Sequence, residues 1–308
     1  MEALVYKSTG SWYVVKTGDG NIYKARVKGR FKMEGITSTN PVAVGDMVNI
    51  EMEAGEENTA VIDLIVDRKN YIIRQSPHNK NQHHIIASNL DQSILFATVK
   101  NPKTSTGFID RFLVASEAYH VNAILVFNKA DDFNKNDHKK YETLSNIYNS
   151  IGYKVLLISV VNKTGLHELA ALLHNKTSLM SGHSGVGKSS FVNYVLPASK
   201  IKTQDVSGWS GKGLHTTTFA EMFDLEEGGK IIDTPGLREF ALSDIDQYEL
   251  AHYFPEMRRL LPQCQFNNCV HINEPGCAVK QALDDGIISI SRYNGYINIL
   301  NTMADKYN

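Results

Sequence analysis

The chain is poor in cysteine and in long apolar runs, and each shortage narrows what it can be. Cysteine occurs 3 times in 308 residues, at Cys264, Cys269 and Cys277. A disulfide framework spread over the chain is thereby excluded, and the thiols read as one local cluster. No apolar stretch approaches the ~18 residues that a membrane span requires, and the segment from Met1 to Tyr6 lacks the basic start and apolar run of a secretory leader. A cytoplasmic location with no membrane partner is therefore expected. Excess charge of one sign is missing too: 32 Lys+Arg against 33 Asp+Glu leave a net charge of −1. That balance argues against indiscriminate nucleic-acid binding but leaves room for a local basic face. The remainder, 42% hydrophobic and 21% charged, suffices for two or three ordinary cores.

Three stretches differ in pattern, and they predict a multidomain chain divided at 1–72, 73–241 and 242–308. The first carries short alternating segments separated by turn residues such as Gly18-Asp-Gly-Asn21, which predicts a small antiparallel β-barrel. Within it Lys24, Arg26, Lys28, Arg30 and Lys32 recur at every second position, so a strand puts all of them on one face. A solvated face is the plain reading. Like charges spaced roughly 7 Å apart repel within a Debye length, however, and an RNA backbone would relieve that cost. Residues 71–90, with His78, Lys80, His83 and His84, show little apolar periodicity and read as a linker.

From residue 91 apolar strands alternate with helical patterns, as in Ser93–Val99, Ala123–Phe127, Val155–Ile158, Thr177–Met180 and Lys230–Ile232. Such alternation predicts a mainly parallel sheet flanked by helices, with ligands at the strand C-terminal ends. Gly182-His183-Ser184-Gly185-Val186-Gly187-Lys188-Ser189-Ser190 is a phosphate-binding loop. Its glycines let backbone N–H groups face phosphate oxygens, Lys188 reaches the β- and γ-phosphates, and Ser189 can ligate Mg²⁺. Asn128-Lys129-Ala130-Asp131 follows a strand, where the Asp131 carboxylate can accept hydrogen bonds from guanine N1 and N2. Adenine offers no such pair, so GTP and GDP are the expected ligands. Ser159-Val160 stands after the next strand and can add a backbone contact to the base. The guanine motif precedes the phosphate loop, which inverts the order found in ordinary GTPases.

Asp233-Thr234-Pro235-Gly236 supplies a carboxylate for Mg²⁺ and a glycine N–H for the γ-phosphate. Upstream, His215-Thr216-Thr217-Thr218 ends a long segment without strand or helix character. Thr217 and Thr218 are candidates there to close on the nucleotide, with Thr217 placed beside Ser189 and Asp233 at Mg²⁺. Leu237 occupies the place where Ras-like GTPases carry a water-orienting glutamine. Slow intrinsic hydrolysis is therefore expected, with His215 the candidate to position water and Lys188 and Gly236 stabilising the transferred phosphoryl group. In the last stretch Cys264, Cys269, His271 and Cys277 form a Cys₃His set suited to one structural Zn²⁺. Ser243 is expected to cap a helix through Leu250 and, after Pro255, toward Leu261, and Ser289–Met303 to form a terminal helix.

The inverted motif order, Gly-x-Ser-Gly-Val-Gly-Lys-Ser-Ser, His-Thr-Thr-Thr, Asp-Thr-Pro-Gly-Leu-Arg-Glu-Phe240 and the cysteine cluster together resemble the bacterial ribosome small-subunit-dependent GTPase family, RsgA (YjeQ). The resemblance spans essentially the whole chain. It implies an N-terminal OB-fold, a circularly permuted P-loop GTPase domain and a C-terminal, mainly helical zinc domain. It further implies rRNA and the small ribosomal subunit as partners late in subunit assembly, with the subunit stimulating hydrolysis. It carries over zinc ligation to Cys264, Cys269, His271 and Cys277, and GTP binding to Asn128–Asp131 and Gly182–Ser190. A monomer is expected. Two rival readings are a GTPase serving another RNA or membrane process, and an RNA-binding scaffold that senses GTP without turnover.

Overall fold

The computed structural model describes residues 1–28, 41–53, 55, 57–75, 83–196, 220–234, 240–242 and 244–304. Arg30, Lys32, His78, Lys80, His215, Thr216, Thr217, Thr218, Gly236, Leu237 and Ser243 lie outside them.

The first strands are β1 (Glu2–Ser8), β2 (Tyr13–Thr17), β3 (Ile22–Val27), β4 (Met47–Met52) and β5 (Thr59–Ile65). They close in the order β1-β2-β3-β5-β4, with β4 returning to β1. Alternation along each strand turns Val5, Val15, Ala25, Ile50 and Ile62 into one buried cluster, and the opposite face meets solvent. The order is that of an OB-fold. The expectation of an antiparallel barrel needs one correction: β3 and β5 run parallel, Lys24 opposite Thr59. Residues 28–58 separate the two strands, long enough for the crossover that parallel pairing requires.

The expected linker is instead a hairpin of β6 (Tyr71–Gln75) and β7 (His83–Ser88). Ile72, Ile73, Ile86 and Ala87 are buried in it, and that burial supplies the energy a solvated linker lacks. Its join to the barrel is a buried ion pair. Asp46 takes hydrogen bonds from Arg68 Nε and Nη2, both 2.6 Å, and from the Ser88 hydroxyl at 2.6 Å.

The second domain runs β8 (Gln92–Ala97), α1 (Thr106–Ala118), β9 (Asn122–Phe127), α2 (Lys135–Ser150), β10 (Lys154–Leu157), α3 (Leu166–Leu173), β11 (Thr177–Ser181), α4 (Lys188–Val195), β12 (Glu221–Asp224) and β13 (Lys230–Asp233). Sheet order is β10-β9-β8-β11-β13-β12. The first five of these strands are parallel to their neighbours, and β12 is antiparallel to β13. β8 is buried along its whole length, as expected of a central strand covered on both faces. The outer edge of β12 receives β1, with Lys7 opposite Glu221. Lys7 pairs with Glu221 at 2.9 Å, while Lys16 and the Tyr6 hydroxyl both reach Asp224 at 2.7 Å. Barrel and nucleotide sheet are thus one continuous sheet among the described residues.

The C-terminal region contains α5 (Pro255–Arg258), α6 (Ala278–Asp284) and α7 (Ile290–Ala304). Where helix was expected through Leu250 there is a 3₁₀ turn at Leu250–Tyr253, and the helix expected after Pro255 is present as the short α5, which starts at Pro255. Proline is favoured at a first helical position and resists continuation of a preceding helix. Among the described residues this region has no separate core: Leu250, Phe254, Met257, Tyr296 and Ile299 share one cluster with Phe112 and Leu113 of α1. Arg292 of α7, 1% exposed, donates to Asp110 of α1 at 2.6 Å and to Glu256 of α5 at 2.7 Å. Burial pushes the Asp110 carboxyl above its ordinary value despite the pull of Arg292. Gly295 lets α7 come this close, because a Cβ there would stand 2.0 Å from Asp110 Oδ2.

Candidate nucleotide site and metal centre

Four parallel strands end along one edge of the sheet, and each delivers a predicted residue there. β9 ends at Phe127, immediately before Asn128, and β10 ends just before Ser159. β11 ends at Ser181, immediately before Gly182, and β13 ends on Asp233 itself. The structure therefore brings the base-reading tetrapeptide, Ser159-Val160, the phosphate loop and Asp233 together, although up to 105 positions separate Asn128 from Asp233.

Asn128 is buried and works as a brace. Its Nδ2 donates to Val186 O at 2.9 Å, while the Val160 N–H donates to its Oδ1 at 3.3 Å. One side chain thus ties the phosphate loop to the segment after β10. Gly187 permits it, since a Cβ at that position would lie 2.1 Å from Asn128 Nδ2. Gly182 is required in the same way, its virtual Cβ meeting Phe96 O at 2.5 Å. Beyond the loop, α4 starts at Lys188, so its unpaired N–H groups face the cradle. The Lys188 ammonium, largely buried, donates to Thr234 O at 3.2 Å and lies 3.3 Å from Asp233 Oδ1. Asp233 Oδ1 is buried and, among the described residues, accepts no hydrogen bond, an arrangement suited to a cation or a phosphate-bound water. Thr234, which sequence reasoning left without a role, fastens this corner by donating to Met180 O at 3.0 Å.

At the base end Asp131 is oriented from below. Ser159 Oγ donates to Asp131 Oδ1 at 2.5 Å and accepts from the Asn162 N–H at 3.0 Å. Serine here is thus an orienting group for the carboxylate, a role beyond the backbone contact expected of it. His183 of the phosphate loop lies on the Phe108 ring of α1, centroids 3.9 Å apart. Ser184, Ser189 and Ser190 stand on the loop and the first turn of α4.

In the C-terminal region the ligand atoms of Cys264, Cys269, His271 and Cys277 all lie within 4.8 Å of one another. His271 Nδ1 faces the sulfurs, 3.3 Å from Cys277 and 3.7 Å from Cys264. A tetrahedral ion with thiolate bonds of ~2.3 Å and an imidazole bond of ~2.0 Å puts nitrogen and sulfur about 3.5 Å apart. The donor set therefore fits one metal ion. The loop is built for it: Glu274 accepts from the backbone N–H groups of Val270, Ile272 and Asn273, at 2.8, 2.8 and 3.0 Å. Tyr293 and Tyr296 of α7 hold the carbonyls of His271 and Val270.

On the barrel, Lys24, Arg26 and Lys28 are exposed while Ala25 between them is buried, as the period-two reading requires. Two of them have carboxylate neighbours on or beside β4: Arg26 pairs with Glu53, and Lys28 stands 3.5 Å from Glu51. The repulsion argued from sequence is reduced accordingly.

An OB-fold barrel joined to a nucleotide sheet whose phosphate loop follows its guanine motif defines a circularly permuted P-loop GTPase with an added C-terminal metal-ligand cluster. Comparison with known proteins gives the same class. The family model described as RsgA GTPase matches residues 65–243, and that of the RsgA N-terminal domain matches residues 2–62. Small ribosomal subunit biogenesis GTPase RsgA 2 of Bacteroides thetaiotaomicron is 49% identical over 300 residues, 97% of this chain and 96% of its own length. The RsgA of Flavobacterium psychrophilum is 49% identical over 308 residues, covering 100% of this chain and 94% of its own. The crystal structure of YjeQ from Thermotoga maritima superposes with a TM-score of 0.77 at 33% identity, covering 98% of each chain. YloQ, a circularly permuted GTPase, gives 0.74 at 27% identity, covering 99% and 95%. The chain belongs to the RsgA GTPase family and is a GTP hydrolase.

Proposed function

We propose that this protein is a GTPase that binds the small (30S) ribosomal subunit and its rRNA and assists late maturation, with hydrolysis stimulated by the subunit and timing its release. The observation that carries the reading is the junction of barrel and nucleotide sheet. β1 is joined to β12 through Lys7–Glu221 and the Tyr6 hydroxyl on Asp224, and Lys16 of the neighbouring β2 also reaches Asp224; β12 pairs with β13, which ends on Asp233. A load on the barrel therefore reaches the phosphate end through a short run of strand pairing. Relatives named for small-subunit biogenesis over nearly their full length support the same partner.

In this reading Asn128, Lys129, Ala130 and Asp131 with Ser159 and Val160 take the guanine. Gly182 to Ser190 take the phosphates, and Ser189, Thr217 and Asp233 take Mg²⁺, as GTPases generally require. Thr218 closes over the nucleotide, Lys188 and Gly236 stabilise the γ-phosphoryl group, and His215 positions water. Cys264, Cys269, His271 and Cys277 hold a structural Zn²⁺, whose closed ligand set leaves no position for substrate. Lys24, Arg26, Lys28, Arg30 and Lys32 form the rRNA face, where phosphates compete with Glu51 and Glu53 for two of the cations. The units are 1–72, 73–241 and 242–308, and the protein acts as a cytoplasmic monomer.

The test is phosphate release by the purified protein alone, with small subunits, and with large subunits. Small subunits should raise turnover by at least tenfold, an effect of about 1.4 kcal/mol on the barrier, and large subunits should not. His215→Ala should lose most of that stimulation while retaining GTP. Equal stimulation by both particles would remove the assigned partner.

A further inference from the structure

The loop that follows β8 carries no recognised nucleotide motif, yet it touches both ends of the site. Residues 98–104 are closed on themselves: the Thr104 N–H donates to Thr98 O at 2.9 Å, the Thr98 N–H to Thr104 Oγ1 at 3.0 Å, and the Thr98 hydroxyl to Pro102 O. From this small ring three contacts leave in different directions. Lys100 Nζ lies 3.0 Å from Asp137 Oδ2 and 3.4 Å from Asp132 Oδ2, and Asp132 is the residue after Asp131. Asn101 O accepts from Lys129 Nζ at 2.6 Å. Pro102 Cδ lies 3.6 Å from where a Cβ of Gly185 would stand, so the ring packs on the phosphate loop.

Lys129 gives these contacts their meaning. It sits in the left-handed region at φ 68°, which costs a residue with a Cβ about 1–2 kcal/mol and persists only where neighbours over-determine it. The restraints are visible: its ammonium is held by Asn101 O, and the next residue's N–H donates to Ile158 O at 3.1 Å. Lys100 pins the far side of the same turn through Asp132, and through Asp137 it grips the capping box that starts α2. Hydrogen bonding to the Lys100 ammonium outweighs desolvation and holds the Asp137 carboxyl below the usual carboxylate range.

We infer that residues 98–104 form a third wall of the nucleotide pocket, in which Lys100 is a positioning residue for guanine selection and Asn101-Pro102 links the base-reading turn to the phosphate loop. The inference rests on the guanine reading of Asp131. Lys100 touches no nucleotide atom: it acts by fixing the turn that aims Asp131, so its loss should be felt at the base more than in overall stability. Its pair with Asp132 is partly solvent-exposed, and such pairs contribute little to folding; Asp137 is buried but keeps the Asn134 N–H and Lys140 as partners.

The test compares GDP with inosine diphosphate, which lacks the 2-amino group that Asp131 is placed to receive. In Lys100→Ala, GDP affinity should fall about tenfold, and preference for GDP over inosine diphosphate should narrow by a similar factor, the scale of coupling between contacting groups. Lys100→Arg should restore both, and the thermal midpoint should stay near wild type. Asp132→Asn, which weakens the same brace from its other side, should shift the preference in the same direction by a smaller factor. It decides the matter should Lys100→Ala not fold. Unchanged GDP affinity and unchanged base preference in folded variants, with wild type preferring GDP, overturn the inference alone. Wild type holding GDP and inosine diphosphate equally overturns the guanine reading beneath it.

Discussion

Replacing Asp131 by asparagine should weaken GTP binding by roughly 10²–10³-fold while improving the binding of xanthosine triphosphate. A carboxylate accepts from guanine N1–H and from the 2-amino group, and hydrogen bonds to a charged group contribute about 1.5–3 kcal/mol each. In the variant the amide oxygen can still accept from Ser159 Oγ, which holds Asp131 Oδ1 at 2.5 Å. That leaves the NH₂ group directed at the base, donor against donor at the 2-amino position. Xanthine presents an oxygen there, so the mismatch is relieved. A site built on buried hydrogen bonds rejects a ligand that leaves them unmatched far more strongly than an apolar pocket does. Competition titration with both triphosphates checks the result. A variant that binds GTP as wild type does would show that Asp131 does not meet the base.

The second large effect is expected at Arg292. Its guanidinium lies between Asp110 and Glu256 and over the Phe254 ring, 4.5 Å from the centroid. Arg292→Ala leaves two carboxylates buried without their cation, and breaking such a pair costs about 3–5 kcal/mol. The loss falls on the contact between α1 and α7, so the C-terminal region should come away first. Urea unfolding followed by hydrogen exchange should show early loss of protection in α7, with β8 and β9 protected for longer. Replacing Asp110, Glu256 and Arg292 together by apolar side chains of similar volume should recover most of the loss. A single substitution that leaves the unfolding midpoint in place would mean that the network contributes little and that apolar packing alone holds α7.

The strands of the nucleotide sheet were legible because each is a short apolar run bounded by turn residues, and the phosphate loop because its glycines answer to backbone approach. The cysteine cluster was legible because all 3 cysteines fall in 14 residues. The β6–β7 hairpin was not: polar Ser76–Gln82 and His83-His84 break the apolar pattern, and only Ile72-Ile73 and Ile85-Ile86-Ala87 hint at strands. Nor could composition show that Arg26 and Lys28 would meet Glu53 and Glu51 across the barrel, or that Arg292 would find Asp110 from 182 positions away. Pairings of that kind are set by topology, to which local periodicity is blind. The loop at Lys100 left one readable trace, an Asn-Pro turn at the end of a central strand, at the sheet edge where ligands bind.

The central claim is that Asp131 and Lys188, 57 positions apart and in inverted chain order, serve one bound guanine nucleotide. Calorimetric titration of the full chain with GTP and with ATP in the presence of Mg²⁺ tests it most directly. The account predicts one GTP per chain, ATP at least 10³-fold weaker by the loss of matched hydrogen bonds at the base, and loss of the GTP signal in Lys188→Ala. Equal retention of ATP, or no retention of either nucleotide by a folded protein, would contradict it.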